Sequence, residues 1–236
     1  MFTSSDEVAS FIDKESIELV DVRFCDVPGV QQHFTIPVGE FLGGAIDDGL
    51  MFDGSSVRGF TAIHESDMKL VPDLSSAFVD PFRARATLVV DFSIVDPFTD
   101  EPFSRDPRQV AAKAEAHLRS TGIADQCFVG AEAEFYLFDD VRYQVSPNST
   151  FFSVDSPEAH WNTGRAEEGG NRGYKVPLKG GYFPVPPTDR YADVRDEMVR
   201  LLEGVGLTVE RAHHEVGSGG QQEINYRFAP LQKAAD

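Results

Sequence analysis

Tryptophan occurs once in these 236 residues, cysteine twice, and Lys and Arg together 21 times against 39 Asp and Glu. The net charge of −18 argues against nucleic acid as a partner, because binding its phosphates takes a basic face and none is visible. Solubility alone would account for such acidity. Cys25 and Cys127 are far apart and match no metal or redox spacing, so both are expected as free thiols in a reducing cytoplasm. No apolar run is long enough to span a membrane. Met1 leads within two residues into Thr3-Ser-Ser-Asp-Glu7, and no signal peptide is expected. What the chain does have is phenylalanine, nineteen of them, and 41% hydrophobic residues, enough for one large or two smaller cores.

Local signals outline the organisation. Ser4 and Glu7 form a capping-box pattern ahead of Val8, Phe11 and Ile12, which predicts a short helix. Strands are expected over Glu18 to Cys25 and Val30 to Ile36, joined by the turn Asp26-Val-Pro-Gly29. Val20, Val22 and Phe24 share one face. A further strand over Thr87 to Ile94 carries Leu88, Val90, Phe92 and Ile94 on one side. These elements read as a small α+β module. The turn-rich run from Asp96 to Pro107 then suggests a boundary. Asp106 as N-cap, Pro107 in the first turn and Gln109 predict a helix that carries Val110, Ala114 and Leu118 on one stripe and stops near Gly122. Residues 142–173, rich in Ser, Asn, Pro and Gly, read as a long ordered loop. A helix from about Tyr191 to Glu203 is expected to turn Tyr191, Val194, Met198, Leu201 and Leu202 inward. Leu231 to Asp236 is helix-forming, yet nothing closes that helix, and the chain is expected to be a piece of a longer one.

Four glutamates carry the chemical argument. Glu132 and Glu134 lie two apart in Gly130-Ala-Glu-Ala-Glu-Phe-Tyr-Leu-Phe138. Glu215 and Glu223 flank the glycine-rich turn in His213-His-Glu-Val-Gly-Ser-Gly-Gly-Gln-Gln-Glu-Ile224. Both stretches otherwise look like core strands. Carboxylates buried together repel and are driven to protonate unless a cation joins them, and hard cations prefer carboxylate oxygen. Strand alternation also allows a plainer reading, in which Glu132 and Glu134 form the solvated face of an amphipathic strand. Spacing alone does not separate a magnesium synthetase from a two-metal hydrolase. Two polar loops stand beside the glutamates: Phe52-Asp-Gly-Ser-Ser-Val-Arg-Gly-Phe60 and Lys179-Gly-Gly-Tyr-Phe-Pro-Val-Pro-Pro187. Each by itself fits an ordinary turn.

Taken in order, these stretches resemble glutamine synthetase in its bacterial type I form. The likeness rests on Arg23-Phe-Cys-Asp-Val-Pro-Gly29, Phe52-Asp-Gly-Ser-Ser56, Glu132-Ala-Glu-Phe135, Asn171-Arg-Gly-Tyr-Lys175, Lys179-Gly-Gly-Tyr-Phe-Pro184, and His213-His-Glu215 through Gln222-Glu-Ile224. The resemblance implies an α+β fold. Residues 1–104 would form a small N-terminal β-grasp domain. Residues 105–236 would form part of a catalytic α+β domain with an antiparallel sheet. It implies an ATP- and metal-dependent ligase in nitrogen assimilation, joining ammonia to glutamate through γ-glutamyl phosphate.

The resemblance also implies roles. Glu134, Glu215 and Glu223 would hold one Mg2+ or Mn2+, and Glu132 the second. Asp53, Ser56, Tyr182 and Glu215 would receive ammonium, with Asp53 taking its proton and serving a neighbouring subunit of a homo-oligomer, a dodecamer in the family. Glu210 and Phe228 would flank the nucleotide, although Phe228 fits a core position equally well. His213 and His214 are expected as supporting or structural residues. Two departures bear on this. The family's Gly-Thr-Ala-Gly turn is Gly217-Ser-Gly-Gly220 here. The family's second half, with further metal ligands and the arginines for phosphate, is missing, so the chain alone is expected to be inactive. A γ-glutamyl ligase for another amine, a non-catalytic remnant that binds partner subunits, and a carboxylate hydrolase are the other readings. Partners are expected to be glutamate, ammonium and ATP, with no nucleic acid and no membrane.

Overall fold

A computed structural model describes residues 2–236. The chain forms two compact units. One runs to Val129 and takes in Ala229–Asp236; the other spans Gly130–Phe228.

The first unit is built on a five-stranded sheet. Helix α1 (Ser5–Lys14) starts where the sequence signals it: the Ser4 side chain accepts from the Glu7 amide at 3.3 Å, and Val8 and Ile12 are buried. Strands β1 (Leu19–Cys25) and β2 (Gln31–Pro37) pair antiparallel across the Asp26 turn. There the Asp26 carboxylate accepts from the Val30 amide at 2.7 Å, and Gly29 takes φ +90°. A short helical segment, α2 (Val38–Glu40), runs on as a π turn to Ala45. Strands β3 (Leu50–Asp53), β4 (Asp67–Val79) and β5 (Thr87–Val95) complete the sheet in the order β2-β1-β5-β4-β3. β1 and β5 are parallel and the other pairs antiparallel. Val20, Val22, Phe24, Leu88, Val90, Phe92 and Ile94 all reach the core, with α1, Phe41 and Phe60 packed against them. This is the β-grasp arrangement expected. β3 and β4 were not foreseen. Pro72 and the run Asp73-Leu-Ser-Ser76 break the apolar alternation of β4, where its register with β5 slips between Asp73 and Phe78.

The opposite face of the same strands is charged. The buried Asp21 carboxylate accepts from Arg23 Nε at 2.8 Å and lies 2.7 Å from His33 Nδ1. Helix α3 (Pro107–Thr121) is capped by Asp106 and ended by Gly122 in the left-handed region, as expected. Its buried residue is Arg108, which reaches Asp73, Asp91 and Asp236. The stripe of Val110, Ala114 and Leu118 stays exposed or half-exposed, because α3 is anchored by that arginine rather than by its apolar side. Strands β6 (Phe128–Val129) and β12 (Ala229–Pro230) pair, and α5 (Leu231–Ala235) follows. The turn-rich boundary near residue 104 thus lies inside this unit.

The second unit holds an antiparallel sheet of β10 (Val209–His214), β11 (Gln221–Tyr226) and β7 (Glu132–Tyr136), in that order. Helix α4 (Ala192–Gly204) packs on β10 and β11. Val194 is exposed instead of inward. The position of α4 is set by buried Arg195, which binds Asp189 and Gln222. The stretch expected as loop opens with a hairpin, β8 (Asp140–Ser146) and β9 (Ser149–Asp155). Its alternation of Val141, Tyr143 and Val145 is that of a strand, but polar neighbours hid it. From Ser156 to Tyr191 the chain is mostly irregular and held by polar contacts. Glu167 binds Lys175 at 2.6 Å and Arg190 at 2.5 Å, and Asp155 accepts from Trp161 at 3.1 Å.

Candidate active site

Strand pairing assembles the site. In an antiparallel sheet, directly opposite residues share a face. Glu223 of β11 stands opposite His213 of β10 and Glu134 of β7, so these three form one row. Asn225 stands opposite Arg211 and Glu132 and forms the next row on that face. Glu215, two residues beyond His213, continues it. The face floors a cleft of about 500 Å³ that Tyr182, Glu210, Tyr226 and Phe228 also line.

The tightest convergence is His213, Glu215 and Glu223, each with a ligand atom within 4.8 Å of the others. His213 Nε2 lies 3.6 Å from a Glu223 oxygen, and Nδ1 lies 3.8 Å from a Glu215 oxygen. Glu223 is buried, and its other oxygen accepts from Asn225 Nδ2 at 2.6 Å. Glu215 accepts from the Val216 amide at 2.6 Å. Of the expected trio Glu134, Glu215 and Glu223, the structure brings the carboxylates of Glu215 and Glu223 into this group. Glu134 shares the row of Glu223, but its carboxylate accepts from Gln221 Nε2 at 2.9 Å, and among the described residues it is outside the tight group. Glu132 and Glu134 are both exposed, so the buried-carboxylate argument holds for Glu223 and not for them. Sequence reasoning left His213 out, although its two-residue spacing from Glu215 puts both on one strand face.

His214 points the other way and is fully buried. Its Nε2 lies 2.7 Å from Glu158 Oε2, and its Nδ1 lies 2.7 Å from Gly181 O and 2.6 Å from Glu215 O. All three partners can only accept, so both ring nitrogens donate. Burial opposes that charge, but the Glu158 carboxylate outweighs it and holds the imidazole pKa above its ordinary value. The structural role expected for His214 is what this geometry provides. It pins the Lys179–Pro184 loop to the backbone of Glu215. That loop presents Tyr182, half-exposed, stacked on Phe183 with ring centres 3.9 Å apart and edge-on to His213 at 5.5 Å. Glu210 and Phe228 sit at the cleft rim. Phe228 is 61% exposed, which excludes a core position for it here.

Asp53 and Ser56 belong to the first unit. Asp53 Oδ1 accepts from the Ser55 amide at 2.9 Å and its hydroxyl at 2.6 Å, and Oδ2 accepts from Ser56 Oγ at 2.7 Å. These bonds hold the Asp53 carboxyl below the usual carboxylate range. The loop offers a fixed anion suited to a small cation, and a weak base. Cys25 and Cys127 are free thiols, as expected. No helix among the described residues is long and apolar enough to cross a membrane.

Comparison with known proteins agrees with this architecture. Residues 16–97 match the glutamine synthetase beta-grasp domain, and residues 104–236 match the glutamine synthetase catalytic domain. The chain is 58% identical to glutamine synthetase from Frankia alni over 236 residues, which is 100% of this chain and 50% of that protein. It is 59% identical to the Streptomyces coelicolor enzyme, covering 100% of this chain and 49% of the relative. The solved Plasmodium falciparum glutamine synthetase superposes with a TM-score of 0.86 at 24% identity, over 99% of this chain and 46% of that one. The chain spans about half the length of the curated relatives it matches. With both domain models matched in order, the chain belongs to the glutamine synthetase family.

Proposed function

We propose that this chain supplies the β-grasp domain, residues 1–104, and the first part of the catalytic domain, residues 105–236, of an enzyme that ligates ammonia to glutamate at the expense of ATP. The observation that carries the reading is the convergence of His213, Glu215 and Glu223 on one face of a sheet, with Glu134 in the same row as Glu223 and Glu132 in the next. The donor set suits a divalent cation of the Mg2+ or Mn2+ kind: two carboxylates, one of them buried, whose mutual repulsion a cation relieves. Glu134, Glu215 and Glu223 would hold one such ion and Glu132 a second. A bound cation supplies charge neutralisation at the transferring phosphoryl group.

The remaining roles are those of the chain's own side chains. Glu210 and Phe228 at the rim would flank the nucleotide. Tyr182 and Glu215 would hold ammonium together with Asp53 and Ser56 of a neighbouring subunit in a homo-oligomer. Asp53, held ionised by Ser55 and Ser56, would bind the ammonium cation and take a proton from it, which frees the nitrogen lone pair for attack. Attack of the glutamate γ-carboxylate on the terminal phosphate of ATP gives γ-glutamyl phosphate and ADP. Ammonia then displaces phosphate to leave glutamine. Such an enzyme would work in the cytoplasm.

Among the described residues the cleft is lined by one arginine, exposed Arg211, and the chain would offer a single glutamate to the second cation. We expect negligible turnover from it. Appending the C-terminal half of the Streptomyces coelicolor relative tests the reading. The hybrid should release glutamine and phosphate from glutamate, ammonium and ATP, and Glu223→Gln should abolish this. A folded, oligomeric hybrid without turnover would count against it.

A further inference from the structure

We infer that Glu158 is a positioning residue for ammonium: through His214 it fixes where Tyr182 stands beside Glu215, and so sets how well the site tells ammonium from a larger primary amine. The inference rests on the ammonia-ligase reading above and adds to it a buried residue that touches no substrate.

The Lys179–Pro184 loop would not hold its shape unaided. Lys179 and Phe183, on either side of Gly180-Gly-Tyr182, take φ +56° and +58°. Left-handed backbone is costly for a residue with a side chain, most of all a bulky one, and persists only where neighbouring contacts over-determine it. Those contacts lie on either side of Tyr182. The Gly181 amide donates to Val216 O at 3.1 Å, Gly181 O accepts from His214 Nδ1 at 2.7 Å, and the Phe183 amide donates to His214 O at 3.4 Å. The Phe183 ring also stands edge-on to His213 with centres 4.6 Å apart, which clamps that imidazole from the loop side.

His214 is the common member, and Glu158 holds it. His214 Nδ1 also donates to Glu215 O at 2.6 Å, so one ring ties the backbone of Gly181 to that of Glu215. Its Nε2 donates to Glu158 Oε2 at 2.7 Å, and Glu158 Oε1 accepts from the Arg190 amide at 2.6 Å. Both side chains are buried, so water is not at hand to replace either bond. A buried pair of this kind adds little net stability beside an apolar pair of the same volume. What it adds here is direction. With both oxygens of Glu158 engaged, the imidazole has one orientation, and Tyr182 and Glu215, which line the same cleft, are held in register. Ammonium differs from methylamine chiefly in size, and a site excludes by size only if its walls do not give.

The test uses the hybrid enzyme described above. An amide in place of the Glu158 carboxylate can accept at one oxygen only, so Glu158→Gln frees either His214 or Arg190. Its KM for ammonium should rise about tenfold, those for ATP and glutamate should change less than about twofold, and its preference for ammonium over methylamine should fall about tenfold. A mere loss of folded enzyme would lower kcat and leave every KM alone. Glu158→Asp keeps both acceptors but draws them back by one methylene. It should shift the ammonium KM the same way by less, and it carries the test if Glu158→Gln does not fold. KM values that change together, or not at all, would overturn this inference and leave the ligase reading standing. An unsubstituted hybrid without turnover would overturn both.

Discussion

Nε2 of His214 lies 2.7 Å from Oε2 of Glu158, and neither side chain is reached by solvent. The pair links β10 to the segment after the β8–β9 hairpin. The Arg190 amide donates to the other Glu158 oxygen at 2.6 Å, adding the approach to α4. Removing one member of a buried ion pair leaves the other unpaired. Glu158→Gln should therefore cost about 3–5 kcal/mol in urea unfolding. The pH dependence follows from the raised His214 pKa. The unfolded imidazole titrates near pH 6.5 and the folded one higher, so the pair's stabilisation is complete below about pH 6.5 and fades as pH rises through the folded value. The wild-type advantage over Glu158→Gln should be largest near pH 6 and shrink in alkaline solution. A pH-independent difference would mean that His214 is neutral.

Asp91 also has a raised pKa, so stability again falls as pH rises, but in a more acidic window and as a penalty rather than the loss of an ion pair. Burial drives its carboxyl up to about 6, Arg108 opposes, and the nearby Asp236 and Asp73 charges add to the rise. A carboxyl with a raised folded pKa favours the folded state only while protonated. Stability falls as pH rises from about 4 to about 6, and the penalty is complete above that. Asp91→Asn should stabilise the protein at pH 8 by roughly 1–3 kcal/mol and have little effect at pH 4. Thermal melts at the two pH values measure this. Equal effects at both would refute it.

Much of the first unit was legible because its local signals agree with its packing. Ser4, Asp26, Gly29, Asp106 and Gly122 do in the structure what their types suggest, and the apolar alternation of β1 and β5 is the buried face. Where the chain is organised by charge, the sequence misled. Arg108 and Arg195 are buried anchors of α3 and α4, so Val110 and Val194 turn outward against the apolar pattern. In the site, the glutamates were visible as misfits in apolar strands. The partnership of His213 with Glu215 and Glu223 depends on the β10–β11 register, which no local pattern specifies. The separation of Glu134 depends likewise on Gln221.

Asp106 does more than cap α3. Oδ1 accepts from the Arg108 amide at 3.0 Å, and Oδ2 accepts from the Ile94 amide in β5 at 2.8 Å. Asp106→Ala would remove the cap and leave the amide of Ile94 buried without a partner. The sum should be about 2–4 kcal/mol. Asp106→Asn keeps one acceptor and should cost distinctly less. Chemical denaturation of both variants checks the ranking, and equal losses would show that only the helix cap matters.

Gly181 is the place where the loop carrying Tyr182 touches the metal-binding strand. A Cβ there would stand 2.5 Å from Glu215 O and 2.7 Å from His214 Cε1. The first of these is backbone and cannot rotate away, so the loop itself must move. That movement would strain the amide bond from Gly181 to Val216 O, 3.1 Å, and the His214 contact at Gly181 O, 2.7 Å. Tyr182 and Phe183 would shift with it and loosen the clamp on His213. Gly181→Ala should destabilise by about 1–3 kcal/mol, as overpacking does. It should also weaken Mn2+ binding in a titration. Gly164→Ala is the comparison, since a Cβ there meets nothing within 4 Å, and it should be neutral within about 0.5 kcal/mol. If Gly181→Ala matches Gly164→Ala in both stability and Mn2+ affinity, the loop does not hold the site in the way the contacts at Gly181 require.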